Sequence, residues 1–334
     1  MTIVSEADDE MMISIIVPVY NVAAYVEECL QSIAGQDFDH PFETILVDDA
    51  STDNSADICR RFIERNPAGG FCLLENPDNR GVSVARNLGL AHARGRYLMF
   101  VDPDDRLPPA ALSALFEAAE RNRADIVKGN LVLFDDRKRR PAPDRVRRPR
   151  LVRGEDVLSE LFEHSTVRGH VGGKLFRRDR FGTIRFTVGV RMAQDLLYFS
   201  EVFAAAGSLL LTGHEVYEYR KHGTGSTGRK YEKGSYIDWL GAVETSRKFA
   251  RTPGQKRAHK KLLLRTMAQI ARECRHIPAD SAAVVLSVIE QKCRQWKLGM
   301  LKTAVVDRLG LRAVIRYIKL QLALRQIRRN LSRS

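Results

Sequence analysis

Tyr97-Leu98-Met99-Phe100-Val101-Asp102-Pro103-Asp104-Asp105 is the stretch on which the reading of this chain turns. Its first five residues are apolar and β-prone and are bounded by Gly95 and Pro103, which predicts a buried strand emptying into a polar turn. Carboxylates crowded at the carboxyl edge of a strand repel one another unless a cation sits between them. Asp-x-Asp there suits a divalent metal shared with substrate phosphates, in the manner of Mg²⁺. The same residues also suit a solvated turn that caps the next helix, because Asp is a favoured turn and cap residue. The rest of the chain weighs between the two.

Upstream, Ile13-Ser14-Ile15-Ile16-Val17-Pro18-Val19 predicts a fully buried strand ending at Tyr20-Asn21, and Val22 to Ala34 follows at helical spacing. Thr44-Ile45-Leu46-Val47 is a second apolar run, stopped by Asp48-Asp49. Ser51 or Thr52 is then placed to cap a helix with Ala56, Ile58, Cys59, Phe62 and Ile63 inward. Phe71 to Leu74 predicts a third strand and Val82 to Ala93 a third helix. Downstream come a helix from about Pro108 to Arg121 and a strand from Ile126 to Phe134. Strands alternating with helices predict an α/β fold, a mostly parallel central sheet covered on both faces. In such sheets ligands bind beyond the carboxyl ends of the strands, here Pro18-Val19-Tyr20, Asp48-Asp49 and Asp102-Pro103-Asp104. The three are expected to converge on one crevice.

Past Arg137 the pattern breaks into a Pro- and Arg-rich segment and resumes as mixed short elements to about His222. Beyond Tyr231 the chain reads as helical: Trp239 to Arg275, Ser281 to Trp296 and Leu301 to Arg329. The expected organisation is a tail over 1–12, an α/β domain over 13–230 with halves at 13–134 and 135–230, and a helical C-terminal region over 231–334.

An apolar share of 44% supports real cores in 334 residues. Cys29, Cys59, Cys72, Cys274 and Cys293 lie inside predicted elements without a Cys-x-x-Cys pair, so they read as small core residues in a reducing compartment. No apolar leader and no run of eighteen apolar residues is seen, so the expected location is cytoplasmic, peripheral to the membrane at most. The net charge of +13 is local. Nine basic residues and one acid over 137–153 contribute +8, and seven basic residues with no acid over 311–334 contribute +7, leaving −2 for the remainder. Such focused charge argues for a partner met at particular surfaces and against general coating of nucleic acid.

Four motifs in this order, Ile15-Ile16-Val17-Pro18-Val19-Tyr20-Asn21, Val47-Asp48-Asp49-Ala50-Ser51-Thr52-Asp53, Asn79-Arg80-Gly81-Val82-Ser83-Val84-Ala85-Arg86-Asn87 and Val101-Asp102-Pro103-Asp104-Asp105, resemble those of family 2 glycosyltransferases. Gln194-Asp195-Leu196-Leu197-Tyr198 resembles the family's Glu-Asp pair. The resemblance runs from Ile13 to about Gly228 and implies the GT-A fold, a nucleotide-binding half followed by an acceptor-binding half. It further implies an inverting transferase that moves a sugar from a UDP-sugar to a glycan or lipid-linked acceptor in cell-surface polysaccharide synthesis, using Mn²⁺ or Mg²⁺. By the same resemblance Pro18, Tyr20 and Asn21 would line the base and ribose, and Asp49 would accept a hydrogen bond from the uracil N–H. Arg86 would meet the ribose or diphosphate, Asp102 the ribose or metal-bound water, and Asp104 the metal. Asp195 would be the base that takes the proton of the acceptor hydroxyl. The chain departs from the family in carrying Gln194 where Glu is usual, which keeps shape and hydrogen bonds but loses a charge, and in having Pro103 inside Asp-x-Asp.

Tyr219-Arg220-Lys221-His222-Gly223-Thr224-Gly225-Ser226 resembles the segment that closes the family's active site, where His222 would complete the metal shell; taken alone, it reads as a surface-loop histidine. Gly223 to Gly228 matches G-x-G-x-x-G in form but lacks a following helix and distal acid, and reads as a loop. Over 311–334, Leu311, Val314, Ile315, Ile318 and Leu322 share one helix face with Arg312, Arg316 and Lys319 opposite. That pattern fits an anionic membrane surface and equally a helix packed on its own domain or on a second copy of the chain. The basic 137–153 segment reads as a membrane contact, a grip on an anionic acceptor, or a solvated insertion. Two other functions compete with a transferase. A nucleotidyltransferase would want a Gly-rich basic loop after the first strand, where Val19-Tyr20-Asn21 stands. A nucleic-acid-binding protein would leave the strand-end carboxylates unexplained.

Overall fold

The computed structural model describes residues 10–295 except 136, 143–144, 165–166, 168–170 and 223–232. Its first half alternates β1 (Ile13–Val19), α1 (Val26–Ala34), β2 (Phe42–Asp48), α2 (Ser55–Arg65), β3 (Phe71–Glu75), α3 (Val82–His92), β4 (Tyr97–Phe100), α4 (Ala111–Asn122) and β5 (Ile126–Phe134). There follow β6 (Arg139–Pro141), β7 (Arg150–Arg153), α5 (Asp156–Glu163), β8 (Lys174–Arg177), α6 (Arg178–Phe181), α7 (Gln194–Ala205) and β9 (Ser208–Arg220). The strands form one sheet ordered β3-β2-β1-β4-β8-β5-β9-β7, with β6 added to β5.

β3, β2, β1 and β4 are parallel, as helical crossovers require. Beyond β4 the sheet is mixed: β8 runs antiparallel to β4 and β5, β7 to β9, and β6 to β5, while β5 and β9 are parallel. Helices cover both faces. Ile13, Ile15, Val17 and Val19 of β1 join Val26, Cys29, Leu30 and Ile33 of α1 in one buried cluster. Full burial of such side chains contributes about 1.5–3 kcal/mol each. Ile16 points the other way, toward α3, where a Cβ on Gly89 would come within 2.5 Å of its Cγ2. Glycine at that position lets the helix lie close on the strand.

Three local expectations are corrected. The helix predicted from Val22 begins at Val26. The backbone N–H groups of Val22 and Ala23 donate instead to Ser55 Oγ and Asp53 Oδ2, which ties this loop to its neighbour and delays the first helical turn. For the same reason neither Ser51 nor Thr52 caps α2. Its N-cap residue is Asn54, without a side-chain cap bond, and Ser51 and Thr52 bond to Asn21. Third, Cys72 is exposed, because β3 is an edge strand only partly covered by helices; Cys29, Cys59 and Cys274 are buried as expected.

At the amino ends of β1 and β2 a buried carboxylate joins three elements. Glu43 accepts from Ser14 Oγ at 2.7 Å, from the Arg94 backbone N–H at 2.7 Å, and from the Arg94 guanidinium at 2.9 and 3.1 Å. Burial alone would raise the Glu43 carboxyl, but these donors outweigh it and hold it below the ordinary Glu value. A depressed folded-state value stabilises above the unfolded-state value, and the contribution disappears as pH falls through the folded one. Glu43→Gln should therefore lower unfolding stability by about 1–3 kcal/mol at pH 7. In urea titrations near pH 3 the loss should shrink toward zero; an equal loss at both pH values would assign the effect to packing.

The chain divides into two compact units, one of the described residues up to Gly189 with Tyr198–His222, the other of Val190–Leu197 with the described residues after 232. The second contains α8 (Lys233–Ser246), α9 (Pro253–Glu273) and α10 (Ala279–Gln295). α9 opens with a reciprocal capping box between Thr252 and Gln255 and with Pro253 in its first turn. Buried His259 on α9 reaches the Val243 carbonyl at 2.7 Å, and burial lowers its pKa. Among the described residues no helix is long and apolar enough to cross a membrane. The basic segment 311–334 and the loop 223–228 lie outside the described residues.

Candidate active site

Because β2, β1 and β4 are neighbours, their carboxyl ends emerge side by side. Pro18 is buried at the end of β1, while Tyr20 just beyond it is 44% exposed. Asn21 has φ 51°, the left-handed region that Asn tolerates better than most residues. Its side-chain oxygen accepts from the Thr52 N–H at 2.8 Å, and its own N–H donates to Ser51 Oγ at 3.1 Å. Ala50, across from it, also has positive φ, 58°. Strained backbone of this kind persists where its surroundings over-determine it.

Asp49 is 2% exposed and its carboxylate is engaged by the chain. Oδ1 accepts from Asn76 Nδ2 at 2.7 Å and from the Arg80 N–H at 3.1 Å, and Oδ2 accepts from the Gly81 N–H at 2.7 Å. Asp49 thus shapes the loop that launches α3, on which Arg86 sits. Four lone-pair positions against three donors leave it acceptor capacity for a ligand N–H.

Arg86 is 4% exposed, and its Nη2 donates to Asp102 Oδ1 at 2.9 Å while the guanidinium lies 5.2 Å from the Phe186 ring centroid. Asn87, its neighbour, clamps the Phe186 backbone from both sides, accepting from the N–H at 2.7 Å and donating to the carbonyl at 2.9 Å. Phe186 stacks flat on Tyr198 at 3.9 Å between centroids. The run Arg86-Asn87 therefore connects the acidic turn to a segment a hundred residues later.

The acidic turn is gripped by the end of β9. The Tyr217 hydroxyl accepts from the Asp102 N–H at 3.0 Å and donates to Asp105 Oδ2 at 2.7 Å. The Arg220 N–H donates to Asp105 Oδ1 at 2.8 Å and its Nε to the Asp104 carbonyl at 2.9 Å. The Arg220 and Arg106 guanidinium groups both pair with Glu28 of α1 and both stack on Phe134. A Cβ on Gly172 would lie 2.1 Å from the Tyr217 ring, so glycine there is what admits the tyrosine. Burial, then Asp102 and Asp104, push the Asp105 carboxyl well above its usual range. The same influences, with burial first, raise the thiol of Cys29, which lies under the turn as an inert core residue and points at the Asp102 carbonyl.

His222 lies next to this turn, with Nε2 2.9 Å from Asp104 Oδ2 and its ring 4.6 Å from that of Tyr25. Among the described residues no group of three or more His, Cys, Asp or Glu could hold a metal by itself. Asp104 and His222 do supply an oxygen and a nitrogen donor at one point, with Asp102 two residues away. That set fits an Mn²⁺- or Mg²⁺-type ion completing its shell with phosphate oxygens, since such ions commonly take only one or two protein carboxylates.

Gln194 and Asp195, in the second unit, open α7, and both are partly buried. Ala193, immediately before them, has φ 61°, and its carbonyl accepts from the N–H groups of Leu196 and Leu197. Asp195 in the first turn favours the helix through its dipole.

Of the residues singled out from sequence, Asn21 meets the Asp49 loop through Ser51 and Thr52, Arg86 meets Asp102, and Asp104 meets His222. Asn87 and Arg220 fall inside quoted motifs without a role of their own, and Tyr217, Glu28 and Gly172 carried no local signal, because each acts on a partner tens of residues away.

The glycosyl transferase family 2 profile matches residues 14–185. The uncharacterized glycosyltransferase EpsJ of Bacillus subtilis is 30% identical over 66% of this chain and 64% of its own length, so the match spans slightly under two thirds of that relative. In fold, the chain is similar to Staphylococcus aureus TarS 1–349 in complex with UDP-GlcNAc, with a TM-score of 0.63 and 18% identity over 93% of this chain and 92% of that one. It is also similar to the mannosyltransferase PcManGT of Pyrobaculum calidifontis in complex with GDP-Man and Mn²⁺, with a TM-score of 0.57 and 17% identity over 93% and 86% of the two chains.

Proposed function

This chain belongs to glycosyl transferase family 2, and on that footing we propose that it transfers a sugar from a UDP-sugar to a hydroxyl of a glycan or lipid-linked acceptor in the synthesis of a cell-surface polysaccharide. The observation that carries the reading is the acidic turn, with Asp104 against His222 and Asp102 against Arg86 at the carboxyl edge of the parallel strands. TarS binding UDP-GlcNAc on the same fold supports a UDP-sugar donor, and PcManGT with its Mn²⁺ supports a divalent ion.

In this reading exposed Tyr20 offers its ring to the base, beside Pro18 and Asn21, and Asp49 uses its remaining acceptor capacity on the uracil N–H. A donor lacking that N–H would leave a buried acceptor unpaired, which is how one missing group is rejected. Arg86 orients Asp102 for the ribose and lends positive charge beside the diphosphate. A divalent ion held by Asp104 and His222 would neutralise charge on the departing diphosphate. Asp195 takes the proton of the acceptor hydroxyl while its oxygen attacks the anomeric carbon and the bond to the diphosphate breaks, so configuration inverts. Gln194 keeps the size of the family's usual Glu without its charge, leaving Asp195 without a like-charged neighbour in sequence.

Thermal unfolding with Mn²⁺ present tests the donor. UDP should raise the melting temperature by several degrees at about 100 times its Kd, whereas GDP, ATP and single-stranded DNA at equal concentration should leave it unchanged. A larger shift with GDP would reassign the base specificity, and one with ATP would favour a nucleotidyltransferase.

A further inference from the structure

Residues 137–153 hold nine basic side chains, eight of them Arg, and all nine are exposed. Two are neutralised: Arg139 pairs with Glu215 and Glu218, and Arg150 with Glu160. Among the described residues no carboxylate lies within ion-pair distance of Arg137, Lys138, Arg140, Arg145, Arg147, Arg148 or Arg153. Asp135 turns its carboxylate to the backbone N–H groups of Arg137 and Lys138, with Arg140 and Lys138 acting on it through space, while Asp136 and Asp144 lie outside the described residues. Elsewhere in this unit exposed arginines are commonly paired, Arg60, Arg65, Arg94 and Arg96 among them. Clustered like charges repel one another, so such a set is costly unless an anion meets it.

The segment is held on a built scaffold. Buried Asn130 of β5 clamps Val146, donating to its carbonyl at 2.9 Å and accepting from its N–H at 2.7 Å, and also donates to the Gly213 carbonyl at 3.0 Å. The Ala142 N–H donates to the Leu131 carbonyl at 3.0 Å. With Val146 fixed, Arg145, Arg147 and Arg148 project outward on either side of it. The segment also begins beside the residues that hold the acidic turn. β6 pairs Arg139 with Phe134, the ring on which Arg106 and Arg220 stack while they hold the acidic turn.

The chemistry of the patch selects its partner. It contains no aromatic residue on which bases could stack, as single-stranded nucleic acid would use. None of the exposed large hydrophobic residues, Tyr20, Val188 and Val284, belongs to it, so it lacks the apolar wedge of a membrane-surface helix. Guanidinium forks in preference to lysines suit bidentate contact with phosphate. We propose that the exposed basic side chains over 137–140 and 145–153 are a docking track for a flexible chain bearing repeated phosphate groups, which leads the acceptor to the active site. Its role as acceptor track rests on the transferase reading; polyanion binding itself does not.

The test compares the full chain with R140Q/R145Q/R147Q/R148Q, whose altered side chains make no described ion pair. Anisotropy of labelled inorganic polyphosphate is followed against salt, with melting temperature and UDP affinity measured in parallel. Each lost phosphate contact removes about 0.7 from the slope of log K against log salt on a flexible strand, so the variant's slope should be shallower by about 3. Its affinity at low salt should fall at least tenfold, with UDP affinity and melting temperature unchanged. The basic segment 311–334 is present in both proteins, so the difference belongs to the track. Equal slopes would overturn the proposal. So would wild-type affinity for oligo-dT above that for polyphosphate of equal charge, or a difference seen only with phosphatidylglycerol vesicles. Absence of UDP binding with the polyphosphate difference intact would sink the donor reading and leave the track standing.

Discussion

Asp195→Asn should lower kcat by about 10²–10⁴-fold, the range for losing a positioned general base, while UDP-sugar affinity stays within a few-fold. Asn keeps the side-chain volume and can still favour the first turn of α7, so the helix should form and the melting temperature hold. Because the base acts in the chemical step, the deficit belongs in kcat and not in donor binding. Calorimetry with UDP and a single-turnover transfer assay separate the two quantities. Near-normal turnover would move the base elsewhere in the chain, and Gln194 would then be the first residue to re-examine.

Asp104→Ala should abolish the dependence of UDP binding on a divalent ion. An ion shared between protein and diphosphate is worth several kcal/mol of charge stabilisation, so EDTA should weaken UDP binding to the wild type by about 100-fold, and to the variant hardly at all. The variant should fold normally. The turn is held through the Asp104 carbonyl by Arg220 and through the Asp105 carboxylate by Tyr217 and Arg220, and alanine preserves all of these. His222, which loses its carboxylate partner, should become more accessible to diethylpyrocarbonate. Equal UDP affinity in EDTA and in Mn²⁺ for the wild type would remove the metal from the site altogether.

Asp104 is legible in the linear chain for a physical reason, whereas Asp195 is marked there only by its resemblance to the family's Glu-Asp pair. Asp102-Pro103-Asp104 and Asp48-Asp49 follow apolar runs, so their place at the ends of buried strands is set by short-range pattern. The strand from Ile126 to Phe134 was bounded to the residue, because every position but one along it is buried and its ends are marked by a charged residue at each side. Errors fell where a loop is ruled by another loop. Val22–Tyr25 has helical spacing, yet the N–H groups of Val22 and Ala23 are taken by Ser55 and Asp53, about thirty residues on. Cys72 has the composition of a core residue, but the position of β3 at the edge of the sheet leaves it exposed.

By itself the sequence determined the α/β alternation, the strand ends and the carboxylates that stand there, since each depends on neighbours within a few residues. Tertiary structure alone decided which of these groups touch. Arg86 is 16 positions from Asp102, Tyr217 is 112 from Asp105, and His222 is 118 from Asp104. No periodicity records such pairs, because they arise from the order in which β4, β8, β5 and β9 lie side by side. That order also makes the sheet mixed beyond β4, and the pairing of β6 with β5 sets Arg139 opposite Phe134, on which Arg106 and Arg220 stack. It follows from burying both faces of one sheet at once, a condition on the whole chain and not on any window of it.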